Sequence, residues 1–278
     1  VNRPGLLGRI ASSARPRPVV DAPAAIREAR LVGATRVAGV AVGLLAAAAV
    51  GQGGSLGAGS MLAPTVLGTC VLLAVIAGET LVRPRREPGV RSASLAVRRV
   101  RDHLPRTWLP VAVVAVLTAG LLVLTTVTAG PDPTDGSTRS LRCEQGAYVS
   151  SVSPYPGAYY AVPLALALVA VLAVAALAAR QVVVRPRGRA DAGGDDTLRR
   201  RSLRVVVAAT GVTLGLSYVG VASPTAVALR TLGKGLEVSC APGWADPVAA
   251  VLGLSVPVVM GLVIVCGFVV LSPGTPRR

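Results

Sequence analysis

Glu79 is the one acidic side chain that falls inside a long apolar stretch of this 278-residue chain. A carboxylate at that position is by default a carrier of protons or cations. Glu79 also stands four residues before Arg83, the favourable Glu-to-Arg spacing for an ion pair on one helix face. Two readings follow, an interfacial ion pair whose ends reach water and a coupling carboxylate. Thr210, Thr213 and Ser217 recur at spacings that gather three hydroxyls on one helical face. Thr118, Thr125 and Thr126 lie in an earlier apolar stretch. Such hydroxyls line a polar path, or they bond to a backbone carbonyl or a neighbouring helix. Packing is the commoner role.

Cys143 and Cys240 each stand alone in a hydrophilic segment whose expected position is outside the cell, where thiols oxidise. A disulfide between them would close a loop of about a hundred residues, worth about 4 to 5 kcal/mol in the loop-entropy picture. Cys70 and Cys266 fall within apolar stretches and read as small packing residues. His103 is the single histidine and sits beside Arg101 in a basic segment. Ser-His proteolysis, histidine-ligated zinc and bis-histidine haem all need imidazoles inside a helical bundle. No Walker A sequence and no Cys-x-x-Cys spacing occurs. The sequence therefore offers no catalytic, cofactor or metal residues, and a lipid-acting enzyme lacks both clustered acids and a paired nucleophile and base.

The elements that must position these residues are six apolar stretches, 31–51, 62–82, 109–129, 160–179, 205–222 and 248–271. Most meet the roughly 20 residues that a hydrocarbon core of about 30 Å requires. The expected fold is all-α, a polytopic bundle of six transmembrane helices at 31–272, with a basic, largely disordered cytoplasmic tail at 1–30 and a short cytoplasmic tail at 273–278. The uncharged part of the first stretch begins only after Arg36, so that side chain is expected to snorkel toward the headgroups. The long basic region before this stretch, with no clear small-residue cleavage site after it, favours a retained span over a signal peptide. Residues 24–30 are expected to form an interfacial helix leading into it, and residues 91–104 a second one.

Of the 29 Lys and Arg, 25 lie in the N-terminal tail, the segments 83–107 and 180–204, and the C-terminal tail. Only Arg139, Arg142, Arg230 and Lys234 occupy the alternate segments. By the positive-inside rule both termini face the cytoplasm, with three loops outside and the plasma membrane as the expected location. The formal charge of +16 thus encodes topology more than nucleic-acid binding, since a basic soluble domain would not place its arginines at the ends of apolar spans. Arginine clusters of this kind also meet anionic lipid headgroups at the cytoplasmic face. Trp108, Tyr159, Tyr160, Tyr218 and Trp244 fall near span ends, where amphipathic rings anchor at the interface. Segment 130–159 reads as the largest irregular feature outside, and Pro257 as a kink in the last span.

Arg83-Pro84-Arg85 matches Arg185-Pro186-Arg187 at an offset of 102 residues, and at the same offset Glu79 meets Gln181. A parallel duplication would produce this pattern, and so would chance in loops so rich in arginine. Positive charge is nearly all arginine, Phe268 is the sole phenylalanine, and the chain carries the runs Leu198 to Val207, LRRRSLRVVV, and Pro156 to Leu166, PGAYYAVPLAL. With these features it resembles uncharacterised polytopic membrane proteins of high-GC actinobacteria. That resemblance covers parts of the second half and implies no activity or site.

Two functions stay open. A non-catalytic accessory or permease subunit of a membrane complex fits the missing catalytic groups and the small-residue faces Gly39/Gly43 and Gly211/Gly215, which permit close helix approach, a protein partner or a homo-oligomer. A self-contained secondary transporter would instead use Thr210, Thr213, Ser217 and Glu79. The topology carries its own test: a reporter fused after Gly136 should read as external. An outside-only maleimide should label Cys143 and Cys240 only after reduction. A cytoplasmic reporter overturns the orientation, and labelling without reductant overturns the disulfide.

Overall fold

In a computed structural model the described residues are 22–81, 105–146, 148–184, 192–232 and 241–272. Six helices dominate: α1 (Ala22–Gln52), α2 (Ala58–Leu81), α3 (Trp108–Thr128), α4 (Ala158–Val184), α5 (Ala192–Thr231) and α6 (Ala245–Leu271). Each includes a stretch long and apolar enough to cross a membrane. The helix α1 is continuous from Ala22, so residues 24–30 are helical as expected. The proposed helix at 91–104, Arg83, His103, Lys234 and Cys240 lie outside the described residues.

Apolar side chains cover much of the outside of the bundle, and several hydroxyls lie inside it. Large apolar side chains such as Leu45, Val116, Val127, Leu254, Val258 and Phe268 face outward. Thr118, Thr125, Thr213 and Ser217 face inward. A surface this apolar marks contact with another apolar phase. The helix α5 is the axis of the bundle: 72% of its most apolar stretch is buried, against 17–33% for the other five helices. It packs against α2, α3, α4 and α6, whereas α1 leans chiefly on α2 and barely meets α6.

Small residues set these approaches. Along the α1/α2 seam, Thr35 faces Gly78, Gly39 faces Ala74 and Gly43 faces Cys70 and Leu67. The contacts advance four residues at a time on both helices, the spacing of one face of an antiparallel pair. Along the α2/α5 seam a methyl group at Gly68 would overlap the Thr213 side chain. Gly211 and Gly215 receive Cys266 and Val263 of α6. Both small-residue faces are therefore spent inside the chain. The seams also explain why proline is tolerated in four helices, at Pro64, Pro163, Pro224 and Pro257, since neighbouring helices and hydroxyls can re-satisfy freed carbonyls.

Three expectations are corrected. The fifth helix does not end near residue 222: it runs through Pro224 to Thr231, so part of segment 223–247 is helical. Segment 130–159 is ordered, not irregular, and forms a three-stranded antiparallel sheet of β1 (Gly130–Pro131), β2 (Thr138–Gln145) and β3 (Tyr148–Val152). Leu141 pairs with Val152 and Glu144 with Val149, and the hairpin turns through Gly146 at φ 61°, a conformation that costs glycine little. The third is Arg36, which does not snorkel. It is 6% exposed and lies within the helical bundle.

A valine at Gly68 should force α2 and α5 apart and cost about 1 to 3 kcal/mol, read as a lower melting temperature in detergent. Thr213→Ala should restore part of the loss in the double variant. Additive effects of the two changes would show that this seam is not the close contact it is drawn as.

Candidate functional site

The hydroxyl face of α5 is buried along its length. Thr210 is 7% exposed, Thr213 fully buried and Ser217 2% exposed. The Thr210 hydroxyl donates to the Val206 carbonyl at 2.9 Å, and Thr213 donates to Ala209 at 3.0 Å. On α3, Thr118 donates to Val114 at 2.7 Å, Thr125 to Leu122 at 3.2 Å and Thr126 to the same carbonyl at 2.7 Å. Each of these five donors serves its own helix, the back-bonding open to Ser and Thr within a helix. The buried Ser217 oxygen has no hydrogen-bond partner. Tyr218 shares a 2.6 Å hydrogen bond with Ser255 of α6, whose hydroxyl also reaches the Leu252 carbonyl at 2.8 Å. Tyr218 therefore faces the protein interior and not the membrane interface.

Glu79 is brought into the same seam. Its carboxyl is 5% exposed and accepts a 2.5 Å hydrogen bond from the Ser202 hydroxyl of α5. Glu79 lies eleven residues after Gly68, and Ser202 eleven residues before Thr213. The two contacts are thus steps of one antiparallel seam, three turns or about 16 Å apart. Arg36 of α1 is electrostatically coupled to Glu79 and to Arg201 of α5. The Nε atom of Arg36 is buried without a hydrogen-bond partner. The expected ion pair of Glu79 with Arg83 falls outside the described residues, and the burial of Glu79 does not match an interfacial pair reaching water. The proposed repeat also places unlike surroundings in register, because Gln181 is exposed where Glu79 is buried.

One arginine of this region has a structural task. Arg199 is 2% exposed and donates through Nη1 to the Val183 carbonyl and, at 3.4 Å, to that of Val182. These are the last carbonyls of α4, which lack intrahelical donors. A guanidinium there satisfies them and opposes the negative end of the helix dipole. Ser202 was legible in principle, since its eleven-residue spacing from Thr213 extends the hydroxyl face. The inward aim of Arg36 and Arg199 had no signal in the sequence.

At the opposite end of the bundle the sheet is held by a polar knot. Arg139 pairs with Asp132 at 3.2 Å and with Asp135 at 3.4 Å. Asp132 accepts from the Thr134 amide at 2.9 Å and from the Thr134 hydroxyl, while Asp135 accepts from the Ser137 amide at 3.0 Å and its hydroxyl at 2.7 Å. These bonds, with Thr134 foremost for Asp132 and Ser137 for Asp135, hold both carboxyls below the ordinary carboxylate range. Tyr155 is fully buried beneath the sheet and shares a 2.6 Å hydrogen bond with Thr128 of α3. Tyr160 of α4 donates to the Leu56 carbonyl at 2.6 Å, tying down the α1–α2 turn. Tyr160 is thus a tie within the protein and not an interface anchor. A side chain at Gly157 would collide with the Thr138 carbonyl, so that approach requires glycine. Cys143 lies on β2 opposite Ser150.

No group of three or more His, Cys, Asp or Glu side chains that could hold a metal occurs among the described residues. The interior offers guanidinium, carboxyl and hydroxyl groups, a set suited to ion pairing and to anions. No family model, curated protein or solved structure matches this chain.

The knot sets a pH dependence. Both carboxyls are held down in the folded state, so their contribution is fully present above the unfolded value near 4 and is lost only as pH falls through the lower folded values. Amide exchange at Thr134 and Ser137 should stay slow as pH is lowered through about 4 and quicken below it. In the Asp132→Asn, Asp135→Asn variant the same amides should exchange faster already at neutral pH. Loss of protection above pH 4 in the unaltered protein contradicts this account.

Proposed function

We propose that this chain is a multi-pass plasma-membrane protein with both termini in the cytoplasm, acting as a non-catalytic accessory or permease subunit of a membrane complex. One observation carries the reading: the Thr210, Thr213 and Ser217 face, the best place for a solute path, is closed by packing. Thr213 meets Gly68, and Thr210 and Thr213 bond to their own helix. The ordered sheet on the end expected to face outward supplies a rigid platform for a partner, since binding loops are commonly held on rigid scaffolds.

The disulfide between Cys143 and Cys240 belongs to the same proposal. Cys70 and Cys266 are free thiols on helices, and a bond between Cys143 and Cys240 would clip the sheet to the segment after α5; two free or intermolecular thiols are the alternative. A secondary transporter is the competing reading, and the burial of Glu79 against Ser202 favours it, because intramembrane carboxylates are default coupling groups.

Single cysteines at 210, 213 and 217, in a chain whose own cysteines are replaced, separate the two. Inertness of all three to a membrane-impermeant maleimide, together with a stoichiometric partner in mild-detergent purification, is the expected outcome. Labelling of two or more of them overturns the subunit reading in favour of a water-filled path.

A further inference from the structure

Between α1 and α6, which barely touch, the bundle has a lateral cleft floored by α2 and α5. Its cavity of about 100 Å³ is lined only by apolar residues, among them Val40, Val71, Ala209, Gly267 and Leu271. It opens toward the lipid-facing surface past Leu271, which is 56% exposed. A transmembrane helix, about 10 Å across, does not fit such a space. A few methylenes of one hydrocarbon chain do.

The cleft lies about one to two helical turns away from the arginines along their helices. Val40 follows Arg36 by four residues, Ala209 follows Arg201 by eight, and Val71 precedes Glu79 by eight. These spacings keep cleft and charges on neighbouring helix faces, with the cleft about 6 to 12 Å deeper toward the bilayer centre. At the head of the cleft stands Arg36, nine-tenths buried, with a donor, Nε, that has no partner. A buried donor left unsatisfied costs about 1 to 3 kcal/mol, more when charged. Arg36 lies in the field of Arg201 as well as that of Glu79, so an anion placed there meets two guanidinium groups set against one carboxyl. Phosphate accepts from guanidinium in charge-assisted bonds.

We propose that the α1/α6 cleft binds one anionic phospholipid, its phosphate on Arg36 and Arg201 and one acyl chain in the cavity. The occupant is a lipid and not a soluble anion because the cavity beneath the arginines is wholly apolar and opens sideways. Headgroup and chain are thereby read together: the guanidinium groups select the charge, and the cleft selects a molecule that carries a tail. The lipid would also join α1, which has the least buried span, to α6, to which the protein itself gives it almost no contact.

The test is native mass spectrometry of the full chain in mild detergent, delipidated and then titrated with phosphatidylglycerol or phosphatidylcholine. The unaltered protein should retain one phosphatidylglycerol and bind phosphatidylcholine markedly more weakly. Arg36→Gln and Arg201→Gln should each weaken phosphatidylglycerol binding about fivefold, the worth of one arginine near an anionic headgroup. Gly267→Leu should weaken binding of both lipids. A methyl group at Gly267 meets no atom within 4 Å, so this variant fills the cleft without disturbing the packing, and it carries the test alone if either arginine variant fails to fold. Equal binding of the two lipids, no retained lipid, or a Gly267→Leu protein that binds like the unaltered one each overturns the proposal. The outcome is independent of whether the chain is a subunit or a transporter, which the labelling at 210, 213 and 217 reads separately.

Discussion

Hydrocarbon offers no water to a stray polar group, so every buried donor and acceptor of a membrane bundle must find its partner within the protein. That constraint falls hardest on α5, which is surrounded by α2, α3, α4 and α6 and carries Ser202, Thr210, Thr213, Ser217 and Thr225 in buried positions. Apart from Ser217, whose oxygen has no partner, the helix meets it in two ways. Thr210, Thr213 and Thr225 return their hydrogen to the preceding turn. Ser202 and Tyr218 reach across to Glu79 and Ser255, and these cross-links fix the rotation of α5 against α2 and α6. With the apolar effect weak between helices in lipid, close van der Waals contact supplies the rest, which is why Gly68, Gly211 and Gly215 lie where α5 is approached.

The two ends of the bundle are stabilised by different chemistry. At one end the sheet is tied by ion pairs around Arg139 and by the tyrosines Tyr155 and Tyr160, each of which joins elements distant in sequence. At the other end Arg199 caps α4, and Arg36 enters the bundle beside Glu79. Arginine suits both tasks because its guanidinium stays charged in all accessible conditions and presents several donors in one plane. At Arg199 a single guanidinium nitrogen, Nη1, is shared between the Val182 and Val183 carbonyls.

The Arg36–Glu79–Ser202 cluster also bears on how α1 is held. Its glycine face fits α2 closely at Gly39 and Gly43, yet the helix has little other contact. The attachment of α1 therefore depends on small-residue packing against α2 along its length, with Arg36 lying in the field of Glu79 at one end. An element held in this way is the one most open to adjustment by lipid.

The number of helices long and apolar enough to cross a membrane, and their approximate limits, were legible in the sequence, because the length and apolarity of each segment are set without reference to its neighbours. The hydroxyl face of α5 was legible for a similar reason, since helical periodicity places Thr210, Thr213 and Ser217 together whatever they touch. Tertiary structure decided what those faces meet. Arg36 read as a snorkelling residue because sequence gives depth along a helix but not direction around a bundle, and only the α2 and α5 neighbours turn it inward. The sheet at 130–152 was missed because its short strands are held by Asp132, Arg139 and Tyr155, a network with no period to detect. Local periodicity fixes which residues share a face; the pairing of faces depends on contacts between segments far apart in the chain, and those exist only once it has folded.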